Sequence, residues 1–355
     1  MSQAKHVGKV VLTMPPVLDP EGTVLITGGT GTLGALLARH LVTEHGVRNL
    51  LLTSRTGPDA PGAQQLSAEL AELGASATVA ACDAADRDQL AALLDGRTLT
   101  GVVHAAGVLA DGVLTSLTPE QLATVWRPKV EAAVNLHELT EGSDLALFAL
   151  YSSASGVFGA PGQANYAAAN VFLDALAQHR RSQGLPATSV AWGYWEQASA
   201  MTGHMENRDR ARLSQGGLVP LSSEQGLALF DEALRLDEGL LVASGIDLTE
   251  LRSLAARGVL PGLLRGLVRA PAVTRRVAAS AGAAGDASSL VDRLARLSEP
   301  ERERFLLDLV RSHVAAVLGH ANPQAVDAER PFKDLGFDSL TAVELRNRLN
   351  TATGL

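Results

Sequence analysis

The sequence predicts an α/β fold, an open doubly wound parallel sheet, followed by a small all-α unit. Three observations carry that expectation. Short apolar runs recur along the first two thirds of the chain (TVLIT 23–27, NLLLTSR 49–55, ATVAACD 77–83, GVVHAAG 101–107, LALFALYSS 145–153, ATSVAW 187–192 and LLVASGI 240–246), with helical stretches between them. Strand–helix alternation of this kind builds a parallel sheet covered on both faces. A glycine-rich turn, GGTGTLG (28–34), joins the first strand to the first helix. Finally, the composition turns to Ala, Gly and Ser over 268–289, and a separate amphipathic helical pattern begins beyond it.

A length of 355 residues suggests two or three domains, with chain enough for one large core. A net charge of -8 and the lack of any basic block argue against nucleic acid as a partner. The single cysteine, Cys82, excludes a disulfide framework and any multi-cysteine metal site. The nine histidines lack metal-ligand spacing, so no metal is expected. No apolar run reaches the ~18 residues of a membrane span, and the N-terminus lacks signal-peptide architecture. A cytoplasmic, soluble protein is the expectation.

Residues 1–20, with KVVLTM and then PPVLDP, read as an extended lead-in. After the first strand, Gly28, Gly31 and Gly34 bracket a strand-to-helix turn. Such a turn lets backbone approach a pyrophosphate, and the helix N-terminus offers it unpaired N–H groups. The second strand ends in Thr53, Ser54 and Arg55, where NAD-preferring sites place an acid for the ribose 2′-hydroxyl. A guanidinium and a hydroxyl suit a 2′-phosphate instead, which points to NADPH, although Arg55 by itself also reads as a solvated surface arginine. The third strand leaves Cys82 and Asp83 at its edge; Cys82 alone reads as a small buried residue. The fourth ends in His104, Ala105, Ala106 and Gly107, mostly small residues that admit a cofactor close to the backbone.

The stretch 119–140 is helical and carries Lys129, which in isolation reads as a solvated lysine. Run 145–153 reads as a buried strand bringing Ser153 to its C-terminal end, where open α/β sheets bind ligands. Residues 156–162 read as a loop, and Tyr166 and Asn170 share a face at the start of the next helix. A serine hydroxyl, a phenol and an amide converging on one crevice can polarise a carbonyl and deliver a proton to it. Residues 200–221 are polar and predict a mobile helical lid, and 240–246 a last strand. In the second unit, Phe305, Leu306, Leu309, Val310, Val314 and Val317 supply most of one face of helix 301–318. Asp338 can cap a helix beginning near Ser339, and a serine there reads, by itself, as part of the cap.

Taken together, these stretches resemble a modular type I polyketide synthase: the catalytic half of a ketoreductase, a short-chain dehydrogenase/reductase, followed by the start of an acyl carrier protein. The motifs are TGGTGTLG (27–34), HAAG (104–107), the Ser153/Tyr166 pair, YAAAN (166–170) and the strand ending AWGYW (191–195). The superfamily's usual YxxxK is here YxxxN, an exchange this branch shows with the lysine moved upstream, which falls on Lys129 in RPKVEAA. The carrier resemblance rests on LGFDSLTAVELRNRL (335–349), whose serine in the family bears 4′-phosphopantetheine; here that is Ser339. The boundaries implied are a lead-in 1–20, similar to a junction after an enoylreductase; a catalytic, Rossmann-like domain 21–267; a flexible linker 268–289; and a carrier domain 290–355, an incomplete helix bundle. The family's structural subdomain, which precedes the catalytic half, and the carrier's last helix are not among these residues.

The resemblance implies that Lys129, Ser153, Tyr166 and Asn170 reduce a carrier-bound 3-ketoacyl thioester. NADPH would be held by Thr27, Gly28, Gly29, Thr30, Gly31, Leu33, Gly34, Ser54, Arg55, Cys82, Asp83 and His104–Gly107, together with Lys129 and Tyr166. Tyr166 would give its proton to the developing alkoxide, with the charges of Lys129 and of the oxidised nicotinamide lowering the phenol from its usual pKa of ~10. Asn170 would position Lys129 or a water. Family members forming the 3R alcohol carry an LDD motif, a proline and an asparagine. Here Leu109-Ala110-Asp111, Pro161 and Asn165 stand there, and Phe158 replaces the tryptophan of the opposite class, so a B-type, 3R product is implied. Implied partners are a phosphopantetheinyl transferase, the ketosynthase, acyltransferase, dehydratase and enoylreductase domains, and a second copy of the parent synthase. Three rivals were weighed. A redox-silent relative needs a damaged tetrad or glycine turn, a free-standing alcohol dehydrogenase has no use for Ser339, and a pure carrier has no use for the nucleotide turn.

Overall fold

The computed structural model describes residues 18–197, 216–256, 260–268, 290, 294–318, 322–337 and 339–353. Most of the lead-in, most of the expected lid, nearly all of the linker, and Asp338 therefore lie outside the described residues.

Seven parallel strands form the main sheet: β1 (Thr23–Thr27), β2 (Asn49–Ser54), β3 (Ser76–Ala81), β4 (Leu99–His104), β5 (Leu147–Ser153), β6 (Thr188–Trp192) and, numbered after the short β7 (Leu218–Val219), β8 (Leu240–Ala243). Their order is β3-β2-β1-β4-β5-β6-β8, so the winding reverses between β1 and β4. Helices α1 (Thr32–Thr43), α2 (Ala63–Glu72), α3 (Arg87–Leu94), α4 (Pro119–Trp126), α5 (Ala132–Leu139), the single turn α6 (Ser155–Phe158), α7 (Ala164–Ser182) and α8 (Ser223–Arg235) connect them. The central strands β1 and β5 are buried almost throughout, which is why they read as unbroken apolar runs. One core layer joins α1 and α8 to one face through Leu37, Leu41 and Phe230. The other joins α5 and α7 to the opposite face through Leu136, Leu173 and Ala177. This is the doubly wound, Rossmann-like architecture expected.

Stretch 119–140 is helical as expected, but at Pro128, which lacks an N–H, it passes through a π-turn, Arg127–Glu131, that joins α4 to α5. Three local expectations are corrected. Residues 155–158, partly expected as loop, form α6. Run 240–246 divides: β8 completes the main sheet, whereas β9 (Gly245–Ile246) pairs antiparallel with β7 and leads into α9 (Leu248–Ala256). In the C-terminal unit, α10 (Glu299–Leu318) buries Val314, Ala315, Val317 and Leu318 against Val326 and against Leu345 of α11 (Ser339–Thr353), while Leu306, expected on that face, is exposed. No described helix is long and apolar enough to cross a membrane.

Candidate active site

The C-terminal ends of β1, β2, β3 and β4 surround a cleft of about 210 Å³ at the point where the winding reverses, the place where such sheets bind ligands. Of the expected cofactor residues, Thr27, Gly28, Thr30, Gly31, Ser54, Arg55, Cys82, Asp83, Ala106 and Gly107 line it. Gly28 has a φ of 68°, and a Cβ there would come within 2.9 Å of the Ala106 backbone, so only glycine keeps the turn. Gly31 caps α1 without any side-chain hydrogen bond, leaving that helix end's N–H groups without a side-chain acceptor. Gly29, Leu33, Gly34, His104, Ala105, Lys129 and Tyr166 do not line the cleft, although Pro128 beside Lys129 does. Gly29 and Gly34 serve close packing, since a Cβ at Gly34 would lie 2.3 Å from the Gly28 carbonyl oxygen. Asp83 is paired with Arg127 at 3.2 Å, a neighbour that sequence reasoning missed.

Lys129 is not the solvated lysine that its residue type suggested. It lies in the π-turn on the face that also buries Val125 and Ala133, is 3% exposed, and its Nζ donates to the Tyr151 carbonyl at 2.5 Å. Gly107 makes room for its stem, because a Cβ there would lie 2.6 Å from Lys129 Cε. Burial pushes the ammonium down to about 8, opposed by the charge of Asp174. His104 braces the same turn. Its Nε2–H donates to the Lys129 carbonyl at 3.0 Å, so its Nδ1 accepts from the Thr27 hydroxyl at 2.7 Å. Burial and the Lys129 charge push this imidazole down to about 3, so it is neutral.

Tyr166 on α7 is nearly buried, with Lys129 Nζ 6.0 Å from its ring centroid. Burial pushes the phenol up, and hydrogen bonds from Asn170 and Ser153 pull against that. The expected lowering by Lys129 is not among the causes acting within the protein. Ser153 Oγ also accepts from the Ser155 backbone N–H at 3.2 Å, which turns the hydroxyl at the end of β5. Asn170 is fully buried; its Nδ2 donates to the Tyr166 carbonyl at 2.8 Å, and its Oδ1 has no partner. A buried acceptor left open in a site is a place for a cation or a water. Thus Lys129, Ser153, Tyr166 and Asn170 come together from the π-turn, β5 and α7.

Of the residues expected to govern stereochemistry, Asp111 and Asn165 are tied to the turn before α7 and to its first turn. Asn165 Nδ2 donates to the Ala110 carbonyl at 2.8 Å while its Oδ1 accepts from the Tyr166 N–H at 2.9 Å. Gln163 donates to Asp111 Oδ2 at 2.9 Å, and Gly112 N–H to the Gly162 carbonyl at 2.8 Å. Pro161 is exposed in the turn before α7. Phe158 packs against a cluster formed by Leu251, Leu254, Leu260 and Leu264. Ser339 is the first residue of α11.

Sequence reasoning missed Asp174, one helical turn past Asn170; the spacing Tyr166, Asn170, Asp174 was the available signal. The histidines read as lacking metal-ligand spacing, but the fold brings the Nε2 atoms of His40 and His45 to Asp231 Oδ1 at 2.8 and 2.7 Å, a grouping that sequence spacing does not reveal and that could hold an ion.

The chain matches the family model of the KR domain over residues 22–197 and that of the phosphopantetheine attachment site over 308–355. It is similar to a polyketide synthase of Streptomyces halstedii, with 59% identity covering 100% of this chain and 6% of that protein. It also matches a pikromycin polyketide synthase component of Streptomyces venezuelae, 56% identical over 100% of this chain and 10% of that one. The chain therefore spans a tenth or less of the length of these two relatives. Among solved structures, an A-type ketoreductase from a modular polyketide synthase aligns with TM-score 0.63 and 43% identity, covering 73% of this chain and 55% of that one. A C2-type ketoreductase from a modular polyketide synthase aligns with TM-score 0.62 and 33% identity, over 74% and 56%. With the glycine turn, the convergence of Lys129, Ser153, Tyr166 and Asn170 and the helix opening at Ser339, these matches identify the chain as a ketoreductase domain followed by a phosphopantetheine-attachment domain, and it belongs to the modular polyketide synthases.

Proposed function

We propose that this chain reduces a carrier-bound 3-ketoacyl thioester to the 3R-hydroxyacyl thioester with NADPH, the acyl chain riding on a 4′-phosphopantetheine arm at Ser339. The observation that supports it most is the convergence of Lys129, Ser153, Tyr166 and Asn170 beside the cleft at the switch point. The cleft suits a phosphorylated dinucleotide: the uncapped N-terminus of α1 offers N–H groups to a pyrophosphate, and exposed Arg55 at the rim offers a guanidinium to a 2′-phosphate. When bound, NADPH supplies the hydride for the β-carbon.

The protein's own residues do the rest. Ser153 Oγ–H donates to the ketone oxygen and, with the phenol, draws charge onto it. Tyr166 gives its phenolic proton to that oxygen as the alkoxide develops. The phenolate left behind is costly in a buried position, and the hydrogen bonds from Asn170 and Ser153 offset that cost; the Lys129 ammonium, 6.0 Å from the ring centroid, is the nearby positive charge. Asn170 Oδ1 accepts from Lys129 or from a water that returns the proton. Proton transfer of this kind contributes a factor of ~10² to 10⁴.

The B-type reading rests on the Asp111, Pro161 and Asn165 segment. The overall fold does not distinguish product classes, since it aligns comparably with A-type and C2-type domains. Chiral chromatography of the reduced thioester is the test: a predominant 3R alcohol is expected, and a predominant 3S alcohol overturns the stereochemical reading. The transferase, the other synthase domains and a homodimeric parent are the partners this function calls for.

A further inference from the structure

Tyr166, Asn170 and Asp174 recur every four residues on α7 and form one stripe facing the sheet. Asp174 is 5% exposed, and its Oδ1 accepts from Ser189 Oγ of β6 at 2.7 Å. A carboxylate that deep is expensive unless hydrogen bonds and a cation answer it. Burial pushes its pKa up, while Ser189, Ser152 and the Lys129 charge pull it down.

Lys129 has the complementary need. Its ammonium is buried, and its hydrogen bond goes to the neutral carbonyl of Tyr151. The ionisable groups facing it are His104 from β4 and Tyr166 and Asp174 from α7; Tyr151 of β5 offers only its carbonyl, its ring packing on Trp192 and Phe230 in the other core layer. His104 is neutral, and burial holds the Tyr166 phenol in the protonated form at neutral pH. Asp174 is then the one group in this set that carries negative charge.

We propose that Asp174 is a positioning residue of the reductase site, a buried carboxylate whose charge keeps the Lys129 ammonium charged and in place beside Tyr166. The inference rests on the reductase reading above. Asp174 touches no reacting atom; it acts through Lys129. Ser189 holds the carboxylate, so β6 contributes to the site without entering it.

The test is the pH dependence of kcat and KM for the full chain, with NADPH and a soluble 3-ketoacyl thioester, in wild type, Asp174→Asn, Ser189→Ala and Tyr166→Phe. With Asp174→Asn, the alkaline limb of kcat should move to lower pH by roughly one unit. The rate should then fall several-fold at pH 8, recover toward wild type at lower pH, and leave KM little changed. A folded Asp174→Asn protein whose limb stays in place, or whose rate falls equally at every pH, overturns the proposal. Should Asp174→Asn fail to fold, Ser189→Ala decides. Loss of that hydrogen bond raises the pKa of Asp174, so the acidic limb should move to higher pH, and an unmoved limb overturns the proposal. Activity in Tyr166→Phe would instead bring down the reductase reading itself, whereas an inactive Tyr166→Phe with an unmoved Asp174→Asn profile removes this inference alone.

Discussion

Tyr166 and Ser339 both stand in the first turn of a helix, yet the units that hold those two helices differ in build. Tyr166 is nearly buried, and its neighbours arrive from widely separated parts of the chain: Lys129 from a broken helix, Ser153 from a strand end, Asn170 from the next turn. Ser339 opens α11 in a small unit whose fully buried cluster consists of Val314, Ala315, Val317, Leu318, Val326 and Leu345. The first site needs a precise dielectric and so is enclosed by a large core. The second, as proposed, needs only to be reached by a transferase and to present a hydroxyl at a positive helix end. Chemistry that tunes a pKa demands burial, and chemistry that carries a tether does not.

The contrast predicts its own failures. Ser339→Ala should abolish attachment of a phosphopantetheine arm entirely while leaving reduction of a soluble 3-ketoacyl thioester unchanged. Intact mass after incubation with coenzyme A and a transferase reads the first, and NADPH oxidation the second. An arm still added in the variant would remove Ser339 from the account.

Lys129 should show the cost of the enclosed site. Its usual value of 10.5 falls to about 8 in the folded protein, so the folded chain releases this proton more readily than the unfolded one. The penalty is complete below pH 8 and disappears as the pH rises toward 10.5, so this group makes stability increase with pH across that window. Lys129→Met removes that penalty and also the cation that answers the Asp174 carboxylate, so catalysis should be lost and the variant's stability relative to the wild type should fall as the pH rises from 7 to 10. Denaturant titration at pH 7 and pH 10 checks it: the difference between the two proteins should shift against the variant at the higher pH, and a difference that does not change with pH would contradict it.

Arg55 sits between these extremes, exposed at the rim of the cleft. Arg55→Ala should narrow the preference for NADPH over NADH by about 1.5–3 kcal/mol, the worth of one charge-assisted hydrogen bond. Equal affinity of the wild type for both cofactors would contradict the assignment.

What was legible in the sequence follows the same division. TGGTGTLG, YAAAN and LGFDSLTAVELRNRL are contiguous, so they could carry a family resemblance that implied their chemistry, and the buried strands announced themselves as apolar runs. Lys129 was different: it falls on the helix face that buries Val125, Ala133 and Leu136, but a lone lysine on a helix reads as solvated by its residue type, and only the fold shows what encloses it. The division of 240–246 depends on Gly245, where a Cβ would come 2.5 Å from the Val219 carbonyl oxygen, a contact between segments far apart in the chain. Asp174 lay in plain sight one turn beyond Asn170, but its meaning depends on Ser189 and Lys129, which only the sheet brings near.

The central claim is that Tyr166, held among Lys129, Ser153 and Asn170, delivers the proton. The most direct measurement is single-turnover reduction of a 3-ketoacyl thioester by Tyr166→Phe, run beside a titration of NADPH binding to the same protein. Loss of the hydroxyl should cost a factor of ~10² to 10⁴ in rate, with NADPH affinity nearly unchanged. Reduction at the wild-type rate would contradict the assignment outright.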